Sequence, residues 1–265
     1  EPYTNLRAVI CIHNTTLGPA LGGIRMWPYQ NEREAMVDAM RLARGMTFKA
    51  AVAGLNLGGG KTVVIGDPRK DKSEALFRAL GRFVDTLNGR YIAAEDVGTA
   101  TQDMDFVAME TPYVTGIDSP AGGSGDPSPM TALGVFQGIR AAAKRAYGSH
   151  SLEGLRVSMQ GCGHVGTFLA QHLHEAGAVL TVTDIHDDNV ARICEMTGAK
   201  SVAPDAIYDV PADIFAPCAL GGIVNPENVD RLTASGDLKV IAGAANNVLD
   251  NDLTGHLLHE RGVLY

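Results

Sequence analysis

Apolar positions follow two different periods along this chain. AVICIHN (8–14) reads as a strand, and NEREAMVDAMRLARGMTFKAAVAG (31–54) reads as a helix with Met36, Met40, Ala43 and Met46 at helical spacing. A glycine break follows. KTVVIGDP (61–68) then predicts a β-branched strand closed by Pro68, KSEALFRALGRFVDTLNG (72–89) an amphipathic helix ending in glycine, and YIAAEDVG (91–98) another strand. These elements describe an α/β domain.

At GGSGDPSPM (122–130) the composition turns to Gly, Ser and Pro, and TALGVFQGIRAAAKRAYG resumes a helical pattern. This predicts a first domain over 1–129 and a second over 130–265. The second half alternates regularly: strands LRVSMQ, AVLTVTD, DIFAPCAL and KVIAGAA are each followed by a helical segment. Such alternation implies a doubly wound parallel sheet, the Rossmann arrangement. The closing VLY reads as the opening of one more strand, so the sequence is expected to be a piece of a longer one.

A length of 265 residues suits two domains, and 45% hydrophobic with 20% charged residues is ordinary for a globular protein. No apolar run approaches the roughly 20 residues that span a bilayer, and EPYTNLRAVI lacks the regions of a signal peptide. A cytoplasmic protein with no membrane partner is the expectation. The net charge of −8 disfavours nucleic acid as a partner. Cys11, Cys162, Cys194 and Cys218 are far apart, with neither zinc-ligand nor disulfide spacing, so no metal site is expected.

Gly161, Gly163 and Gly166 form GCGHVG between a predicted strand and helix, where small residues let backbone approach a pyrophosphate and the helix dipole favours its charge. Asp184, 18 residues past Gly166, ends the next strand, where a carboxylate accepts hydrogen bonds from an adenosine ribose. Ile185, His186, Asp187 and Asp188 follow, with no arginine or lysine to neutralise a 2′-phosphate, which favours NAD over NADP. The same glycines also fit a plain tight turn, with Asp184 capping the next helix.

GGGKT (58–62) invites a phosphate-loop reading and a nucleotide hydrolase. It fails because Leu55 stands where that loop needs its first glycine and because Lys61 opens a strand rather than a helix. What remains is a lysine beside three glycines that expose backbone to a ligand. Lys49 lies 12 residues upstream in MTFKAAVAG. Two lysines in apolar surroundings suit an anionic substrate, and desolvation lowers the pKa of at least one, making it a candidate base. Asp96 ends YIAAED, placed to pair with a lysine or exchange protons. Each of these residues taken singly also fits a surface charge or a structural ion pair.

Together, ALGGIRMWPY, RLARGMTFKAAVAGLNLGGGKTVVIGDP, NGRYIAAEDVGT, GDPSPMTALGV, APCALGG and IAGAANN closely resemble the leucine, phenylalanine and valine dehydrogenases of the glutamate dehydrogenase superfamily. The likeness runs over essentially the whole chain. It implies a catalytic domain and a Rossmann domain with a cleft between them, the loop from Gly122 to Ser128 serving as hinge. By the same resemblance Lys61 is the catalytic lysine, Lys49 grips the substrate carboxylate, and Asp96 shuttles protons at the amino nitrogen. The backbone of Gly22 and Gly23, with Asn246, orients the amino acid, and Leu21 and Ala94 line its side-chain pocket. Thr131 contacts the nicotinamide amide, Cys218 and Ala219 edge the cofactor, and Gly161, Cys162, Gly163, His164, Val165, Gly166 and Asp184 hold the rest of it.

The implied reaction is NAD-dependent oxidative deamination of an L-amino acid to a 2-oxoacid and ammonia, by a homo-oligomer. Apolar Leu21 and Ala94 disfavour glutamate, and Ala94 tilts the choice toward leucine, valine or isoleucine over phenylalanine or tryptophan. A catalytically silent relative that binds NAD or an amino acid as a sensor is the competing class. Relative to the family, upstream residues of the first domain and the segments downstream of Tyr265 are missing.

Overall fold

The computed structural model describes residues 1–118, 120 and 122–265. They form two compact units, Glu1–Pro127 and Ser128–Tyr265. In the first, strands β1 (Ala8–Asn14), β2 (Ala20–Trp27), β3 (Gly58–Ile65) and β4 (Tyr91–Glu95) make one sheet in the order β1-β3-β2-β4. β1 is antiparallel to β3, and the other pairs are parallel. Helices α1 (Glu32–Val52), α2 (Glu74–Asp85) and α3 (Thr101–Ala108) complete the unit. Asn31 and Ser73 start the first two helices by accepting backbone N–H groups at Glu34 and Leu76, which satisfies donors that a helix start leaves free. Ile24, Met26, Val64 and Tyr91 meet Phe77, Leu80 and Met104 in one core, while Val63 meets Ala35 and Ala39 of α1 in another.

The structure adds one strand to this half and corrects two readings of it. β2, over ALGGIRMW, is a strand that periodicity does not reveal: six of its eight residues are buried, so no polar face alternates with an apolar one. The glycines of GGGK are not a break that exposes backbone, because they are the first three residues of β3 and all are buried. A Cβ on Gly59 would lie 2.2 Å from the Thr47 nitrogen, and one on Gly60 would lie 2.7 Å from the Tyr91 ring. Gly59 and Gly60 are small so that α1 and the Tyr91 ring of β4 can press against the strand, and Lys61 stands mid-strand. Finally, the methionine spacing on α1 is helical but Met36 and Met40 are about half exposed, whereas Ala35, Ala39, Leu42 and Ala43 form the buried stripe. Close approach to β3 selects alanine over methionine there.

The second unit is a parallel sheet of β5 (Arg156–Gln160), β6 (Val179–Thr183), β7 (Lys200–Ser201), β8 (Ile214–Pro217) and β9 (Val240–Ile241), in the order β7-β6-β5-β8-β9. Helices α4 (Ser128–Tyr147), α5 (His164–Glu175), α6 (Asp187–Thr197), α7 (Pro226–Thr233) and α8 (Asp252–Glu260) accompany it. Counted within the unit, the strand order is 3-2-1-4-5, the doubly wound order that the alternation implied. β7, two residues long, is too short to show a period. Leu264 bridges Val240 in parallel, so VLY continues the sheet beside β9. Among the described residues no helix is long and apolar enough to cross a membrane.

Candidate functional site

Residues two apart on a strand share a face, so Leu21, Gly23 and Arg25 of β2, Gly59, Lys61 and Val63 of β3, and Ala94 of β4 all lie on the side of the first sheet that α1 covers. Asp96 directly follows β4. Its Oδ1 lies 3.0 Å from Lys61 Nζ, and its Oδ2 accepts from Arg25 Nε at 2.8 Å. Arg25 Nη1 donates to Asp38 Oδ2 at 3.0 Å, and the Tyr29 hydroxyl donates to the same oxygen at 2.5 Å. Only 2% of the Lys61 side chain and 15% of Asp96 reach solvent.

This burial decides the ionisation. Desolvation holds the Lys61 pKa below its ordinary 10.5, with the Asp96 charge opposing and the Arg25 charge assisting. Burial alone would push Asp96 up, but the neighbouring Lys61 and Arg25 cations hold it well below the usual carboxylate range. Arg25, despite burial, is kept protonated by Asp96 and Asp38. The arrangement can therefore present a lysine able to exchange a proton beside a carboxylate that is ionised at rest.

The AEDVGT turn sets Asp96 in place. The Thr99 hydroxyl accepts from the Asp96 N–H at 2.9 Å and lies 2.8 Å from the Ile24 carbonyl. Gly98 takes φ +83°, and a Cβ there would meet the Met26 carbonyl at 2.1 Å, so only glycine fits. A Cβ on Gly23 would lie 2.6 Å from that of Asp96; the missing side chain makes room for the carboxylate. The Gly22 carbonyl already accepts from the Tyr91 hydroxyl at 2.5 Å. Leu21 and Ala94 are partly exposed on the α1 face. Lys49, in the last turn of α1, is exposed, which corrects the expectation of apolar surroundings for both lysines: only Lys61 is buried.

Glu95 points to the other side of the strand from Asp96. Burial, then the Asp126 carboxyl, pushes its pKa from 4.5 up to about 7, and the Thr101 hydroxyl donates to it at 3.3 Å. A carboxyl whose native pKa is raised stabilises the fold fully below its unfolded value near 4.5, and that contribution is lost as pH rises through about 7. Wild-type Tm is expected to fall between pH 5 and 8 by more than that of Glu95→Gln, measured by thermal melts; equal slopes would refute the assignment.

In the second unit, GCGHVG turns from β5 into α5. A Cβ on Gly161 or Gly166 would strike backbone, at 2.7 Å from the Ala219 nitrogen and 2.2 Å from the Gly161 oxygen respectively, whereas one on Gly163 would meet nothing within 4 Å. Gly163 precedes α5 with no side-chain cap, so the first-turn N–H groups stay free for an anion. His164 is exposed and Val165 packs on the core. Asp184 accepts from the Cys162 N–H at 2.6 Å and the His186 N–H at 2.9 Å, bracing the loop while its carboxylate remains partly exposed. Cys218 and Ala219 follow β8 beside Gly161, at the point where the strand order reverses. Burial pushes the Cys162 thiol up to about 12 and Cys218 to about 11, so neither is a nucleophile. Thr131 is partly exposed in the first turn of α4, and the Asn246 side chain is exposed.

The sequence reading missed several residues here. Arg25 carried one signal, a charge inside the otherwise apolar IRMW run, but its partners Asp38 and Tyr29 lie on separate elements. Arg192 of α6 reaches the glycine turn, donating to the Cys162 carbonyl at 3.2 Å and to Asn189 at 3.1 Å. The absence of a basic residue directly after Asp184 thus does not leave the loop without one, because a helix turn brings this one back. Asn247, at φ +50°, has a buried Nδ2 with no partner among the described residues. Among the described residues no group of three or more potential metal ligands occurs.

Comparison with known proteins matches residues 2–113 to a model described as Glu/Leu/Phe/Val dehydrogenase, dimerisation domain, and residues 122–200 to one described as Glutamate/Leucine/Phenylalanine/Valine dehydrogenase. The chain is 60% identical to leucine dehydrogenase of Thermoactinomyces intermedius and 61% to that of Geobacillus stearothermophilus, in each case over all of this chain and 71% of the relative. Its structure resembles that of L-tryptophan dehydrogenase from Nostoc punctiforme with a TM-score of 0.70 at 45% identity, covering 99% of this chain and 74% of the other.

Proposed function

The chain belongs to the glutamate/leucine/phenylalanine/valine dehydrogenase family, and on that footing we propose that it uses NAD to deaminate an apolar L-amino acid oxidatively, with leucine, valine or isoleucine favoured. The products are the 2-oxoacid and ammonia, and the reaction is reversible. The observation that carries this reading is the buried Lys61 beside an ionised Asp96, 3.0 Å away. NADH formation followed at 340 nm across a panel of L-amino acids tests it; no turnover of any aliphatic or aromatic substrate would defeat it and favour the sensor reading.

The second unit fits a dinucleotide by its glycine turn, by the uncapped start of α5 and by the carboxylate of Asp184. A dinucleotide held there would supply the hydride acceptor that oxidises the substrate amine to an imine. Lys61 as free amine then draws a proton from the water that attacks the imine carbon, and Asp96 passes protons to and from the departing nitrogen. Lys49 supplies an exposed cation for the substrate carboxylate. Leu21 and Ala94 offer an apolar wall with no group to bind a second carboxylate. Thr131 and Asn246 are proposed to orient the nicotinamide amide and the amino acid. The protein is further proposed to act as a homo-oligomer, which light scattering tests.

Two cofactor-side variants separate contact from fold. Gly163→Ala meets open space, so its Tm is expected to match wild type while NAD affinity drops, because the methyl occupies the approach to the pyrophosphate. Asp184→Ala should weaken NAD at least about tenfold, losing the ribose contact and the brace on Cys162, and with Arg192 nearby should narrow the preference over NADP. Calorimetric titration with both cofactors reads this; an unchanged NAD affinity places the ribose elsewhere.

A further inference from the structure

The proposed proton chemistry uses Lys61 and Asp96, yet four charged groups are gathered on that face. Asp96 divides its oxygens, Oδ1 to Lys61 at 3.0 Å and Oδ2 to Arg25 at 2.8 Å. Arg25 turns its other arm to Asp38 at 3.0 Å, and Tyr29 fixes Asp38. With Lys61 protonated the cluster holds two cations and two anions.

A lysine paired alone with a buried carboxylate is a poor base, since losing its proton would leave the carboxylate unpaired in a medium that solvates it badly. Arg25 changes this. Its guanidinium is not deprotonated in proteins, so Asp96 keeps a cationic partner in both states of Lys61. Building on the reaction proposed above, we propose that Arg25 is a positioning residue: through its Nε it aims the Asp96 carboxylate and restores it to the ionised form between proton transfers, so that Lys61 can cycle between ammonium and free amine, with Asp38 and Tyr29 holding Arg25 itself.

Other titratable groups are arranged around Lys61. From β1, Cys11 is its register partner, a thiol that burial pushes further toward neutrality, and His13 lies two residues on, bonded to Thr47. From α1 come Asp38 and the exposed Lys49. Arg25 and Asp38 are therefore the charges whose removal should act on Lys61 with opposite signs. Losing the Arg25 cation lets Lys61 retain its proton to higher pH; losing the Asp38 anion makes it release the proton at lower pH.

The test is the acid limb of kcat/KM for leucine deamination. In Arg25→Met it should move up by roughly one pH unit and in Asp38→Asn down, while Arg25→Lys, keeping the charge without the fork, returns the limb toward wild type at reduced rate. Damage that was merely structural would lower the rate at every pH and leave the midpoint in place. Coincident midpoints in all variants, or shifts of the same sign in Arg25→Met and Asp38→Asn, would overturn the proposal. If Arg25→Met does not fold, the downward shift in Asp38→Asn decides alone. The Lys61 Nζ resonance of 15N-lysine-labelled protein, titrated without substrate, should show the same opposite displacements. That measurement stands even if wild type turns over no amino acid, an outcome that would defeat the functional reading and not the role of Arg25.

Discussion

Lys61→Ala is expected to lower kcat for oxidative deamination by about 10²- to 10⁴-fold, the range that a positioned acid or base contributes, while NAD binds as tightly as in wild type. The asymmetry follows from where the groups sit. Lys61 belongs to β3 of the first unit, and the glycine turn and Asp184 belong to the second, whose sheet and core are built from its own residues. Removing the amine leaves Asp96 paired with Arg25 at 2.8 Å, so the substitution does not strand a buried anion and the fold should persist. Circular dichroism, calorimetric NAD titration and the 340 nm assay together decide it. Turnover within tenfold of wild type in a folded Lys61→Ala protein would remove the lysine from the chemistry.

Gly22→Ala should be as damaging through a different route. Its Cβ would sit 1.7 Å from the Gly60 carbonyl oxygen and 2.4 Å from its carbon, both backbone atoms of the neighbouring strand. Neither can yield without parting β2 from β3, and that pairing carries Arg25 on one strand and Lys61 on the other. A loss of about 3 kcal/mol or more, or failure to fold, is expected, since overpacking against backbone cannot relax through a rotamer change. Chemical denaturation measures it, and a Gly22→Ala protein as stable as wild type would contradict the register described for these strands. The contrast with Gly163→Ala, where the same added methyl meets nothing, separates glycines that close a sheet from a glycine that leaves room for a ligand.

Much of this was legible in the chain. The second unit's alternation of strands and helices implied a doubly wound parallel sheet because each βαβ step has its own local period and its own glycine stop. The position of the GCGHVG turn between strand and helix, and of Asp184 at the end of the next strand, was readable for the same reason, since both lie within one such step. In the first unit the pattern served less well. β2 is buried on both faces and so shows no alternation, and the glycines of β3 looked like a loop when they are a strand thinned to admit α1 and the Tyr91 ring.

Sequence alone thus determined the family resemblance and the order of most elements, and it singled out Lys61 and Asp96 as candidates, because these are carried by runs of neighbouring residues. Tertiary structure decided which charges face one another. Arg25, Asp38, Lys61 and Asp96 come from four separate segments, and only the β3-β2-β4 pairing under α1 brings them within 3.0 Å of each other in a chain of contacts. Periodicity records whether a residue is buried. It does not record the partner, and in a dry site the partner sets which group keeps its proton.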